Sequence, residues 1–123
     1  MSATHNDDQF CLDLLGRGVH QEARGWLRAG RDQNTLGELP NTASSLALVE
    51  AIYSAGALHV EAVEIDDYPE MGNCQNTGKL VITLPSDPAA RLRVFEWSAP
   101  IAVSLGFDPE PDNGQKYLFV GLD

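Results

Sequence analysis

Residues 58–84, LHVEAVEIDDYPEMGNCQNTGKLVITL, decide the arrangement of the chain. Both ends of this stretch are strand-like. LHVEAVEI over 58–65 is rich in Val and Ile and roughly alternating. KLVITL over 79–84 alternates cleanly, with Leu80, Ile82 and Leu84 on the inward face and Lys79, Val81 and Thr83 on the outward face. The apolar phase slips between Ala62 and Val63, as a bulge or burial of different faces at the two ends would produce. The polar middle, 66–78, reads as a loop, across which the two strands pair antiparallel.

On the N-terminal side, Asn41 or Thr42 offers a helix cap, Leu46, Val49 and Tyr53 beside Leu48 and Ile52 supply a buried face, and Gly56 stops the helix. Residues 31–41 form a connector rich in turn formers, with Leu36 and Leu39 marking a short edge strand over 34–39. Before it, Leu12, Leu15, Val19, Ala23 and Trp26 recur at steps of three and four, which predicts an amphipathic helix or a pair of helices over 8–30, broken around Gly16–Gly18 and stopped by Gly30. Residues 1–7 read as a disordered tail. On the C-terminal side, Asp87-Pro88 opens a helix that carries Leu92, Phe95 and Ala99 inward. Pro100 predicts a kink or split within 88–106, with Ser98 as a second cap. A polar loop, 108–115, leads to Tyr117–Leu122, an apolar strand buried on both faces.

The order after residue 40 is α, β, β, α, β. It resembles an α+β ferredoxin-like or truncated ferredoxin-like (αββαβ) fold, with a sheet of three to four strands and helices on one face, preceded by the N-terminal amphipathic helix. Residues 8–123 then form a single domain. If 34–39 supply the first strand, it separates the third from the fourth. If not, 79–84 and 116–122 pair in parallel through a right-handed crossover. Such a fold hosts many activities and selects none.

Composition narrows the function classes. With 43% apolar and 21% charged residues, the chain is of the folding kind. No stretch approaches the ~20 apolar residues of a membrane span, and the polar, acidic N-terminus is unlike a signal peptide, so the expectation is a cytoplasmic protein without a membrane partner. A net charge of −10 repels phosphate backbones and argues against direct nucleic-acid binding. It also suggests, as one alternative, an acidic mimic of nucleic acid that occupies a basic site on a DNA- or RNA-binding protein. Cys11 and Cys74 lie in unrelated contexts and read as reduced thiols.

Candidate chemistry is sparse. His59 and Glu61 share one face of a strand, where a carboxylate can orient an imidazole for acid–base work or simply make a polar surface pair. Cys74 needs a base from elsewhere in the fold, and His59 is the candidate. His5 and His20 have no metal-ligand spacing with His59. Asp108–Gly114 alternates acids but falls short of a calcium loop, because Asn113 and Phe119 stand where Gly and Glu are required. A second patch, Glu64, Asp66, Asp67 and Glu70 around Tyr68, offers carboxylates for a hard cation, although clustering of acids is expected by chance in an acidic chain. No metal or cofactor is expected. The most unusual feature is basic. Arg17, Arg24, Arg28 and Arg31 are half of the eight Lys and Arg residues and lie on one helical stripe. They either dock on the acidic body or form a partner-binding face. The leading expectation is therefore a non-enzymatic protein-binding or regulatory module with a protein partner or a homodimer. A small-molecule enzyme that uses the open sheet face around His59 and Glu61 is the other alternative.

Overall fold

A computed structural model describes residues 4–30, 33–72 and 74–122, with side chains described from residue 8 onward. In chain order the elements are α1 (Thr4–Leu15), β1 (Gln21–Glu22), α2 (Ala23–Ala29), β2 (Asn34–Leu36), α3 (Thr42–Ala55), β3 (His59–Ala62), β4 (Asp66–Tyr68), a 3-10 turn (Pro69–Met71), β5 (Cys74–Thr77), β6 (Lys79–Thr83), α4 (Pro88–Ser104) and β7 (Tyr117–Gly121). They build an α+β fold with two sheets, of order β1-β3-β6-β7 and β2-β5-β4.

The strand order is not ferredoxin-like. β3 and β6 pair antiparallel, His59 opposite Thr83 through Ala62 opposite Leu80, as the alternation predicts. The segment 66–78, expected as a loop, instead continues the same hairpin as β4 and β5, with Asp66 opposite Asn76 and Tyr68 opposite Cys74. Residues 34–36 do form a strand, but it runs parallel to β5 in the second sheet and separates nothing in the first. β6 and β7 then neighbour each other, and they pair antiparallel rather than parallel. The reason lies in residues 105–116, which carry the chain from the end of α4 back to the end of β6. There the Leu84 amide donates to the Lys116 carbonyl, and Tyr117 lies opposite Thr83.

Alternation along β3 and β6 distributes side chains to two cores. Val60, Ala62, Leu80, Ile82, Leu118 and Val120 face α2, α3 and α4 and meet Trp26, Leu27, Val49, Ile52 and Val94. On the opposite face Val63 and Val81 are buried with Cys11 and Leu14 of α1, flanked by Tyr117 and Phe119. Helices therefore cover both faces, not one, and Val81, expected outward, is 1% exposed. The apparent phase slip at Ala62–Val63 is strict alternation with both faces buried. The irregularity comes one residue later, at Glu64, whose φ of 50° turns Ile65 back into the larger core.

The helices follow their local signals closely. Asn41 caps α3 by accepting from the Ser44 amide, and Gly56, at φ 129°, stops it. Close approach adds to the demand for glycine there, since a Cβ would lie 3.0 Å from that of Ala90. Asp87 accepts from the Ala90 amide ahead of Pro88, the first residue of α4. That helix continues through Pro100 to Ser104 without splitting, and Ser98 donates to the Phe95 carbonyl within it instead of capping. Its buried face runs through Ala90, Val94, Phe95 and Ser98, which leaves Leu92 exposed. The N-terminal stripe is interrupted between Leu15 and Gln21, where Gly18 has φ 68°. α1 starts at Thr4, within the stretch read as a tail, and buries Cys11 and Leu14, whereas Leu12 is exposed.

Candidate functional site

The structure brings His59 and Glu61 together and adds a residue that spacing did not reveal. Glu61, on β3, is bonded by His59 Nε2 through one carboxylate oxygen and by His20 Nδ1 through the other, each at 2.7 Å. The pairing of β1 with β3, Gln21 opposite Ala62, places His20 at this edge. Both carboxylate oxygens are thereby engaged. Cys74 is not part of this arrangement. It sits at the far end of the hairpin in the second sheet, opposite Tyr68, and its thiol donates to the Met71 carbonyl. Neither Cys74 nor Cys11 is in a disulfide. The side chain of His5 lies outside those described.

The arginines do not share one face. Arg17 lies in the turn after α1, 3.6 Å from Glu64. Arg24, on α2, grips Glu50 with two bonds of 2.6 and 2.7 Å and lies over the Tyr53 ring. Arg28, one turn on, reaches the same carboxylate at 3.6 Å. The Arg24 guanidinium holds the Glu50 carboxyl below its ordinary range. Arg31 lies outside the described residues. Three of the acids are likewise engaged: Glu64 is bonded by Lys79, Asp67 by Gln75, and Asp112 by Arg91 through two bonds. Among the described residues no three His, Cys, Asp or Glu side chains are placed to hold a metal, and no helix is long and apolar enough to cross a membrane.

The sheet edges define a different candidate. An edge strand presents unpaired amides and carbonyls, and proteins usually blunt it. At β2 the Ser45 hydroxyl accepts from the buried Leu36 amide, and Thr42 donates to the Asn34 carbonyl at 2.5 Å. β1 is only two residues long, and beyond it the Val60 amide donates to the Tyr53 hydroxyl at 3.0 Å. That hydroxyl in turn donates to Glu22 at 2.6 Å. Burial raises the Glu22 carboxyl, but the bonds from Tyr53 and from the Gly25 and Arg24 amides outweigh it, and the net shift is downward. Burial, together with the bond to Glu22, pushes the Tyr53 hydroxyl up to about 12. β4 carries Asp66 and Asp67 and runs straight into Pro69.

β7 is built otherwise. Its sequence, YLFVG, has neither charge nor proline. The Leu122 amide donates to Gly78 and the Leu84 amide to Lys116, so by the alternation of antiparallel pairs Leu118 and Val120 turn their backbone groups to β6, and Tyr117, Phe119 and Gly121 turn theirs outward. Asp8 of α1 accepts from the Tyr117 amide at 3.0 Å. Beyond that point, the outward groups of Phe119 and Gly121 have no partner among the described residues. Alongside runs a groove of about 350 Å³, walled by Ser98, Ile101 and Ala102 of α4, by Phe107 and by β7 itself. Phe107 is 66% exposed. Two acids, Asp108 and Glu110, border this groove. On the other face Phe10 packs edge-on against Phe119, with ring centroids 5.0 Å apart, and is still 43% exposed. The sequence marks β7 as a strand, yet nothing local says that it ends a sheet, because that depends on which strands pair beyond it.

In comparisons with known proteins, no family model, no curated protein and no solved structure matches the chain.

Proposed function

We propose that this protein is a non-enzymatic protein-binding module that accepts an extended segment of a partner along β7. One observation carries the reading. Every other sheet edge among the described residues is short, charged or closed by side chains, whereas β7 offers the outward amides and carbonyls of Phe119 and Gly121 beside an apolar groove. Strand addition uses such an edge: main-chain bonds supply affinity, and the adjoining groove takes alternate side chains.

The other readings draw less support. An acid–base site at His20, Glu61 and His59 has an oriented imidazole pair, but the three hollows described lie elsewhere: beside β7, around Trp26 and Asn34, and around Glu64 and Thr77. An acidic mimic of nucleic acid requires an array of available carboxylates, and Glu22, Glu50, Glu64 and Asp112 are already held by partners within the chain. A partner face built on Arg17, Arg24 and Arg28 starts from guanidiniums that already have acidic neighbours.

The test is selection from a displayed library of random peptides on the wild type and on Gly121→Pro. Proline at 121 deletes an outward amide and no bond of the β6–β7 ladder. Peptides enriched on the wild type and lost on Gly121→Pro support the reading. Equal enrichment on both proteins, or none on either, overturns it.

A further inference from the structure

The groove beside β7 also specifies the chemistry of its occupant, given that β7 accepts a strand. A strand laid along β7 alternates its side chains between the two faces of the sheet. On one face they enter the groove between Ile101 and Ala102 of α4 and Phe107, an apolar space of about 350 Å³. On the other face they pass Phe10, which leaves part of its ring uncovered beside Phe119. Both faces of the edge thus receive apolar groups, and the charge at its rim is negative: Asp108 is exposed there, and Glu110 lines the same groove. Arg91 is committed to Asp112 and Arg24 to Glu50, and Lys116, directly before β7, lies over the Tyr117 ring, so two acids border the groove while one cation stands at the start of the strand.

We infer that the partner of this surface is a basic, apolar extended segment, in which large aliphatic or aromatic residues enter the groove and Lys or Arg residues meet Asp108. A second copy of this chain is the obvious competitor, since β7 against β7 is geometrically self-complementary. Charge opposes it. Two molecules of net charge −10 repel each other, which costs affinity and slows encounter.

The test measures fluorescence anisotropy of two labelled synthetic peptides of eight residues, one alternating Lys with Val and Phe, the other with Glu in place of each Lys. Both are titrated with the wild type, Gly121→Pro, Asp108→Lys and Glu70→Lys. Glu70→Lys makes the same change of net charge in the 3-10 turn after β4, away from the groove. The expected result is binding of the basic peptide at least 10-fold tighter than the acidic one, loss on Gly121→Pro, and about 10-fold weakening by Asp108→Lys against less than 2-fold by Glu70→Lys, because a charge acts mainly within a Debye length. If both peptides bind alike and both are lost on Gly121→Pro, strand acceptance stands and the basic preference falls. If the basic peptide binds but Gly121→Pro leaves it untouched, or if Glu70→Lys weakens it as much as Asp108→Lys, the attraction is diffuse charge and the inference is overturned. If neither peptide binds and sedimentation shows a dimer that Gly121→Pro dissociates, the occupant is a second copy.

Discussion

The edges at β2 and at β7 have the same backbone chemistry and opposite treatments. At β2 the outward amide of Leu36 and the outward carbonyl of Asn34 meet Ser45 and Thr42, two hydroxyls one turn apart at the start of α3, and all four residues are buried. At β7 only the first outward amide is taken, by Asp8, and the next two outward positions face a groove. A helix N-terminus packed across an edge closes it with side chains that the helix has to spare. Along β7, α1 and α4 lie on the two faces and leave the rim between them. Closing an edge thus depends on where a helix crosses it, and the difference between the two rims separates a closed seam from an open edge.

Among the edge closures, removing the one at β2 has the largest expected effect. Ser45→Ala leaves the buried Leu36 amide without an acceptor and costs about 1–3 kcal/mol, the penalty of a buried unsatisfied donor. Urea unfolding followed by Trp fluorescence measures it. A loss below ~0.5 kcal/mol, the scale of an ordinary surface change, means that the amide finds water and the β2 edge is not closed in the sense argued.

Next comes the closure beyond β1. Tyr53→Phe deletes the hydroxyl that joins the Val60 amide to Glu22, at about 1–2 kcal/mol for the pair of bonds. It also changes the pH profile in a fixed direction. Glu22 titrates below its ordinary 4.5 in the folded protein, so its contribution is present above that value and lost as pH falls through the lower folded one. Tyr53 is raised from 10.0 to about 12, so its contribution is present below 10.0 and lost as pH rises toward 12. Thermal unfolding against pH should therefore show a shallower acid limb and a shallower alkaline limb in Tyr53→Phe than in the wild type. Parallel profiles would mean that this link does not hold the edge.

A smaller loss, about 0.5–1.5 kcal/mol, is expected for Asp8→Ala, which removes the partly exposed carboxylate that accepts from the Lys116 and Tyr117 amides at the mouth of β7. It should also extend the open edge by one position, so that a strand-forming peptide binds Asp8→Ala at least as tightly as the wild type. Weaker binding would show that Asp8 supports the site instead of bounding it.

How much of this is legible in the chain depends on the range of the interactions. The caps at Asn41 and Asp87 and the stop at Gly56 are decided within a few residues, and the β3–β6 pairing is marked by the alternation of its two strands, so the sequence states them. Strand order is not local. Asp66–Tyr68 and Cys74–Thr77 carry Asp, Asn and Gln, poor strand formers that read as loop, yet they pair because they extend a hairpin already in register and because β2 docks on Cys74–Thr77. The His59–Glu61 pair was visible from a spacing of two. Its third member, His20, arrives through the two-residue pairing of β1, which no periodicity announces. The arginine stripe was legible as a pattern but not as a face, because it presumes one continuous helix and the chain breaks after Leu15.

The smallest expected change in stability is at β7, and it carries the most meaning. Gly121 has no Cβ, and one added there meets only the Phe119 ring, at 3.6 Å and beyond, which is ordinary contact. Its amide points away from β6, so proline at 121 removes a hydrogen bond to water and none to protein. In folding terms Gly121→Pro should lie within about 1 kcal/mol of the wild type, with the restriction of the unfolded chain by proline offsetting local adjustment. Proline at Val120, whose amide belongs to the β6 ladder, removes an internal bond together with a buried side chain and should cost clearly more than Gly121→Pro. Urea unfolding of the two variants reads the orientation of the strand directly. Equal losses would show that β7 has no distinct outward side, and the contrast with β2 would go with it.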